Sequence, residues 1–83
     1  LYVEAERNYS RIHASQKEYL LVMTLKDIEE KLPTKDFLRI HRSFIVNISK
    51  IDEIAQTYVV IGKKAIPLST EMKKNLMTRV QKL

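Results

Sequence analysis

The sequence predicts a mostly-β domain with short helices and small antiparallel sheets, built as one unit over residues 1–83. Three observations predict it. Apolar and polar residues alternate with a period of two over residues 1–5 and 9–14. Helical spacing occurs in only two stretches, residues 25–32 and the segment after Ser69. No pair of strand-like runs is joined by a long helical crossover, so the strands should pair antiparallel. Eighty-three residues suffice for one domain and are too few for two.

Taken in order, residues 1–5 set Leu1, Val3 and Ala5 against Tyr2 and Glu4 and read as a strand. Glu6-Arg7-Asn8 is a polar tip, with Asn8 tolerant of turn geometry. Residues 9–14 place Tyr9, Arg11 and His13 on one face and Ser10, Ile12 and Ala14 on the other. Ser15-Gln16-Lys17 is a turn, and residues 18–23 read as a buried strand that completes a β-hairpin. Thr24 suits a helix N-cap, with Asp27 three residues on in the capping-box position. Leu25, Ile28 and Leu32 then share one face of a short helix over residues 25–32, which Pro33 stops. After a loop at 34–36 comes RIHRSFIVN, residues 39–47, in which charged residues abut the core-like Phe44-Ile45-Val46. Residues 51–55 and 58–61 read as strands, Gly62 as a turn followed by Lys63-Lys64, and residues 65–68 as an edge strand, because Pro67 cannot donate to a ladder. Ser69-Thr70-Glu71 caps a final helix with Met72, Leu76, Val80 and Leu83 on one stripe and Lys73, Lys74, Arg79 and Lys82 elsewhere.

Fifteen Lys and Arg against ten Asp and Glu give a net charge of +5. Residues 25–32 carry two lysines against three carboxylates, a net of −1, so the rest of the chain carries +6. That first helix should face away from any polyanion. The remaining field favours a polyanionic partner, nucleic acid above all, over which a basic solvated surface is the plain alternative. No apolar run approaches the ~20 residues that span a bilayer. The absence of cysteine excludes disulfides and thiolate metal sites and suits a cytoplasmic protein. Leu1 is not an initiator methionine, so the sequence is expected to be part of a longer chain.

Catalysis finds little footing. His13 and His41 are the only histidines and form no metal-binding spacing. Ser43 follows His41 by two residues, which on an extended chain shares a face, but no orienting acid accompanies the pair. No glycine-rich loop could cradle a phosphate. We therefore expect no enzyme, no catalytic residue, no metal and no cofactor. His41 reads as a partly buried ring that bonds a backbone carbonyl and fixes the loop.

FLRIHRSFIVN, preceded by LKDIEEKLP and followed by Ile51, resembles the signature of the LytTR DNA-binding domain of bacterial response regulators. VEAERNYSRIH resembles that family's opening strand, tip and second strand; MTLKDIEEKLP its strand-to-helix passage; and AIPLSTEMKKNL its closing strand and helix start. The resemblance covers nearly all of the chain, in order and at matching spacing. It implies a mostly-β fold that touches double-stranded DNA with loops, reading direct repeats in promoters, with a second copy on the adjacent repeat. It also implies a receiver domain elsewhere in the full-length chain and additional strands before residue 1. Base contacts would come from the tip Asn8-Tyr9, from Arg42 and from Thr70 in the loop before the last helix. Position 42 varies in the family, so its base preference does not carry over. Thr70 stands where arginine is frequent, which puts a guanine contact from that loop in doubt.

The residues support a physical version of the same site. Phe44-Ile45-Val46 would anchor the segment, so that Arg42 could donate two parallel hydrogen bonds to guanine. Arg39 suits a phosphate, or a salt bridge to Asp36. Arg7, Arg11, Ser43, Ser69, Lys73 and Lys74 are further candidates for phosphate contact, Ser69 equally for a structural cap. Lys73 and Lys74 could assist the free N–H groups at the start of the last helix. Tyr9 reads either as core or as part of the tip, and Asn47 as a loop-fixing side chain. The alternative function is a protein-interaction module whose basic face docks an acidic partner.

Overall fold

A computed structural model describes residues 1–7 and 9–81 of the chain. Its described residues form eight strands, two α-helices and one 3-10 turn. Strands β1 (Tyr2–Ala5), β2 (Ser10–His13), β3 (Glu18–Leu21), β4 (Phe37–His41) and β5 (Phe44–Asn47) make one sheet in the order β3-β2-β1-β5-β4, antiparallel throughout. Strands β6 (Glu53–Ile54), β7 (Tyr58–Ile61) and β8 (Lys64–Pro67) make a second, in the order β6-β7-β8. Helix α1 (Leu25–Lys31) joins β3 to β4, and α2 (Thr70–Gln81) follows β8.

The period of two builds two cores on the five-stranded sheet. Val3 and Ile45 are cross-strand neighbours on one face and pack with Leu25 and Ile28 of α1. Tyr2 and Val46, one residue away on the same strands, face the other side. There they join Ile40, Val59, Ile61, Ile66, Leu68 and Leu76. The large sheet is thus the middle layer, with α1 on one face and the small sheet and α2 on the other. Among the described residues no helix is long and apolar enough to cross a membrane.

Helix α1 begins as its sequence predicts: the Asp27 N–H donates to Thr24 Oγ1 at 3.1 Å. It ends at Leu32, whose N–H reaches the Ile28 carbonyl while its backbone turns extended ahead of Pro33. In α2, Leu76 is fully buried and Val80 packs against the same core. The expectations for Leu83 and Lys82 lie outside the described residues. Pro67 sits on the edge strand β8, as its missing N–H requires. Gly62 and Lys63 both take positive φ, 55° and 72°, the backbone of a twist-matched hairpin turn. The Asp52 carboxylate accepts the Gly62 N–H at 2.8 Å and steadies that turn. Lys64 already belongs to β8.

Two expectations change. Residues 18–23 are not a buried strand: all four residues of β3 are exposed. Helix α1, only about 10 Å long, covers β1, β4 and β5 and leaves the far edge open. The strand expected over residues 51–55 shrinks to Glu53–Ile54, because a 3-10 turn (Ile48–Lys50) takes up the approach to it. Asn47 caps that turn, its Oδ1 accepting from the Ser49 N–H at 3.0 Å and the Ser49 hydroxyl at 2.8 Å.

Candidate nucleic-acid interface

RIHRSFIVN folds as a hairpin. Strand β4 ends at His41, Arg42 and Ser43 form the turn, and β5 begins at Phe44. Ile45 and Val46 are buried on opposite faces of the sheet and Phe44 packs against the larger core. The turn therefore rises from an anchored base. Arg39 pairs with Ile45 and His41 with Phe44, so Ile40 is the extra residue of a bulge. Ile40 is fully buried, and its carbonyl accepts the Ser69 N–H at 2.8 Å. That bond ties the start of α2 to the hairpin.

Three side-chain and backbone contacts fix the turn itself. Arg39 donates from Nη2 to the Arg42 carbonyl at 2.6 Å and, more weakly, from Nε to the His41 carbonyl at 3.4 Å. Its Nη1 pairs with Glu29 of α1 at 3.2 Å, not with Asp36. The His41 ring also acts differently from expectation: its Nδ1 accepts the Ser43 N–H at 3.1 Å, while the ring packs edge-on against Phe44. Ser43 in turn accepts from the Ala5 N–H at 2.8 Å, which links this turn to the end of β1.

The β1–β2 tip stands beside it, closed by a bond from the Glu6 N–H to the Tyr9 carbonyl at 2.9 Å. Arg7 and Tyr9 are both exposed there, so Tyr9 is at the surface and not in the core. Asn8 lies outside the described residues. Between the two tips and the first turn of α1 lies an open groove of about 440 Å³, onto which Arg7, Tyr9, Lys26, Arg39 and Arg42 all border. Arg42 itself is exposed.

The model of the LytTr DNA-binding domain matches residues 1–81. The chain belongs to this family. It is 38% identical over 82 residues to the sensory transduction protein LytT of Bacillus subtilis, covering 92% of this chain and 34% of LytT. A response regulatory protein of Vibrio cholerae is 36% identical over 78 residues, covering 83% of this chain and 30% of that protein. The chain thus spans about a third of the length of these curated relatives. A solved LytTr DNA-binding domain from Bacillus cereus superposes with a TM-score of 0.84 at 25% identity, covering 95% of this chain and 78% of that one.

The remaining candidate residues of this LytTr domain are distributed unevenly. Arg11 is held by two carboxylates, Glu6 at 3.1 Å and Glu18 at 2.7 Å. Its guanidinium pulls the Glu6 carboxyl below its ordinary range, and the two carboxylates raise its own pKa. Ser43 is half-buried in the turn. Ser69 is the cap of α2, its Oγ accepting the Met72 N–H at 3.1 Å. Thr70 is the first residue of the helix and not part of a loop before it, because Ser69 already caps. Thr70 and Lys74 are exposed and Lys73 half-buried, but none of these α2 residues borders the groove. The Ser69–Ile40 bond and the packing of Leu76 in the core that holds Ile40 tie this helix to the hairpin.

Two residues escaped the sequence reading. Lys26 borders the groove, although α1 was expected to turn away from it. The signal lay in the hairpin register: Leu21 pairs with Ser10, so β3 must end beside the first tip and deliver α1 there. The Ser10 hydroxyl completes the delivery by donating to the Met23 carbonyl at 2.8 Å. Glu29 is the other, and nothing local in the sequence pairs it with a residue ten positions on.

Proposed function

We propose that this LytTr domain reads a specific sequence in double-stranded DNA, with its tips entering the major groove at direct repeats in promoters. One observation carries the reading: two hairpin tips distant in sequence bring Arg7, Tyr9, Arg39 and Arg42 to the rim of a single groove. In this reading Arg42 meets base edges, and the Asn8-Tyr9 tip and Thr70 flank it. Arg7, Ser43, Ser69, Lys73 and Lys74 meet phosphates. Arg11 is left out of the contact set, because two carboxylates would first have to release it. The full-length protein would be a cytoplasmic two-component response regulator with a receiver domain, of which this is the C-terminal output domain. A second copy would occupy the adjacent repeat.

Selection of bound sequences from a random duplex pool, followed by a salt titration, tests this. With about five phosphates neutralised, log K should fall against log salt with a slope of about −4 to −5. Arg42→Ala should lower discrimination at one base pair by about 1–3 kcal/mol. Lys73→Ala should weaken all sequences alike. If no sequence is enriched and an acidic protein surface binds as well as duplex DNA, the domain is instead an interaction module for acidic partners.

A further inference from the structure

The turn that carries Arg42 lacks the backbone that normally makes a two-residue hairpin turn fit its strands. The Gly62-Lys63 turn has it, with both residues at positive φ. Among the described residues only those two take positive φ, so Arg42 and Ser43 do not. Turns of that unprimed kind splay their strands unless something else holds them. Here the holding group is visible. Arg39 places one N–H on the Arg42 carbonyl at 2.6 Å and another toward the His41 carbonyl. The same guanidinium is fixed from behind by Glu29 at 3.2 Å.

We propose that Arg39 is a positioning residue that presents Arg42 to DNA, and that Glu29 on α1 belongs to the reading machinery by holding Arg39 in place. The inference rests on the DNA-reading function above and deepens it. It gives a carboxylate near the interface a favourable role in specific binding. Ordinary electrostatics assigns it the opposite one, since a negative charge beside DNA repels phosphates. Arginine is required at position 39, because a planar fork reaches acceptors on both sides and a lysine ammonium, a point charge on a flexible stem, does not. The positioned group is Arg42, whose own side chain is exposed.

The experiment compares binding to a selected duplex and to random duplex for four variants of the domain, with heat unfolding to verify that each is folded. Glu29→Ala and Glu30→Ala each remove one exposed negative charge from neighbouring positions of α1. Glu29→Ala should cut the selected-to-random ratio about tenfold, while Glu30→Ala leaves it unchanged. Arg39→Lys should cut the ratio by a similar factor with the salt slope unaltered. The inference is overturned if Glu29→Ala behaves as Glu30→Ala, or if Arg39→Lys keeps the ratio. It is equally overturned if Arg39→Ala merely flattens the salt slope by about 0.9, the signature of one lost phosphate contact. Hydrogen exchange at the Ser43 amide reads the brace without DNA. Exchange should quicken in Arg39→Lys, and unchanged exchange overturns the positioning role. Should the unaltered domain prefer no duplex while Arg39→Lys still loosens Ser43, the DNA-reading function fails and the brace stands.

Discussion

Arg7 and Arg11 flank one turn, four residues apart, and their surroundings separate them. Arg7 is exposed at the groove, while Arg11 is tied to Glu6 and Glu18. Composition counts them alike; the cross-strand register, which sets Arg11 opposite Glu4 and Leu20 and so diagonal to Glu6 and Glu18, shows which one meets carboxylates. The pairing has a pH signature. The Arg11 guanidinium lowers the Glu6 pKa from 4.5, so folding is favoured by the ionised carboxylate. That contribution is complete above the unfolded value and disappears as pH falls through the lower folded one. Glu6→Gln should therefore melt below the unaltered domain at neutral pH, and the gap in Tm should close as both are taken below pH 4.5. A gap that persists in acid would show that the pair does not supply it. His13, stacked on Tyr2 with ring centroids 4.2 Å apart and bonded to Glu4 at 3.0 Å, closes the far end of the same polar face.

At the level of elements, the signals that worked were those with local chemistry. The Thr24 cap, the Pro33 stop, the Gly62 turn and the Ser69 cap all stand where the sequence put them. Thr24→Ala should cost about 0.5–2 kcal/mol by removing the acceptor for the Asp27 N–H. Chemical denaturation would measure it, with the loss concentrated in amide exchange along α1. The division of RIHRSFIVN into two strands was not legible. Its turn contains no glycine, proline, asparagine or aspartate, the residues that punctuate a sequence. It is held instead by Arg39, paired with Glu29 ten residues away on another element, and by the His41–Ser43 and Ala5–Ser43 bonds. Likewise, no periodicity could show that Ile40 would bulge.

For the molecule as a whole, the mostly-β antiparallel architecture was readable because alternation reports which faces are buried. It does not report where the covering layer ends. Tyr19, Leu20, Leu21 and Val22 read as core, yet they are 50%, 56%, 37% and 89% exposed at the open edge of the large sheet. The buried residues are correspondingly few, and each matters more in a domain whose total stability is of the order of 5–15 kcal/mol. Leu76 is fully buried where α2 closes the larger core. Leu76→Ala should cost about 2–5 kcal/mol, lowering Tm by some 4–8 °C for each kcal/mol lost in a domain of this size. A calorimetric scan showing little change would mean that α2 contributes less to the core than its burial indicates.

The braced turn has a consequence for how such a reader could diversify. Because position 42 requires neither a left-handed backbone nor a small side chain, many residue types could stand there without disturbing the scaffold. The support comes from neighbours that would stay the same, so under the proposed function the letter being read could be exchanged while the hand that holds it does not move.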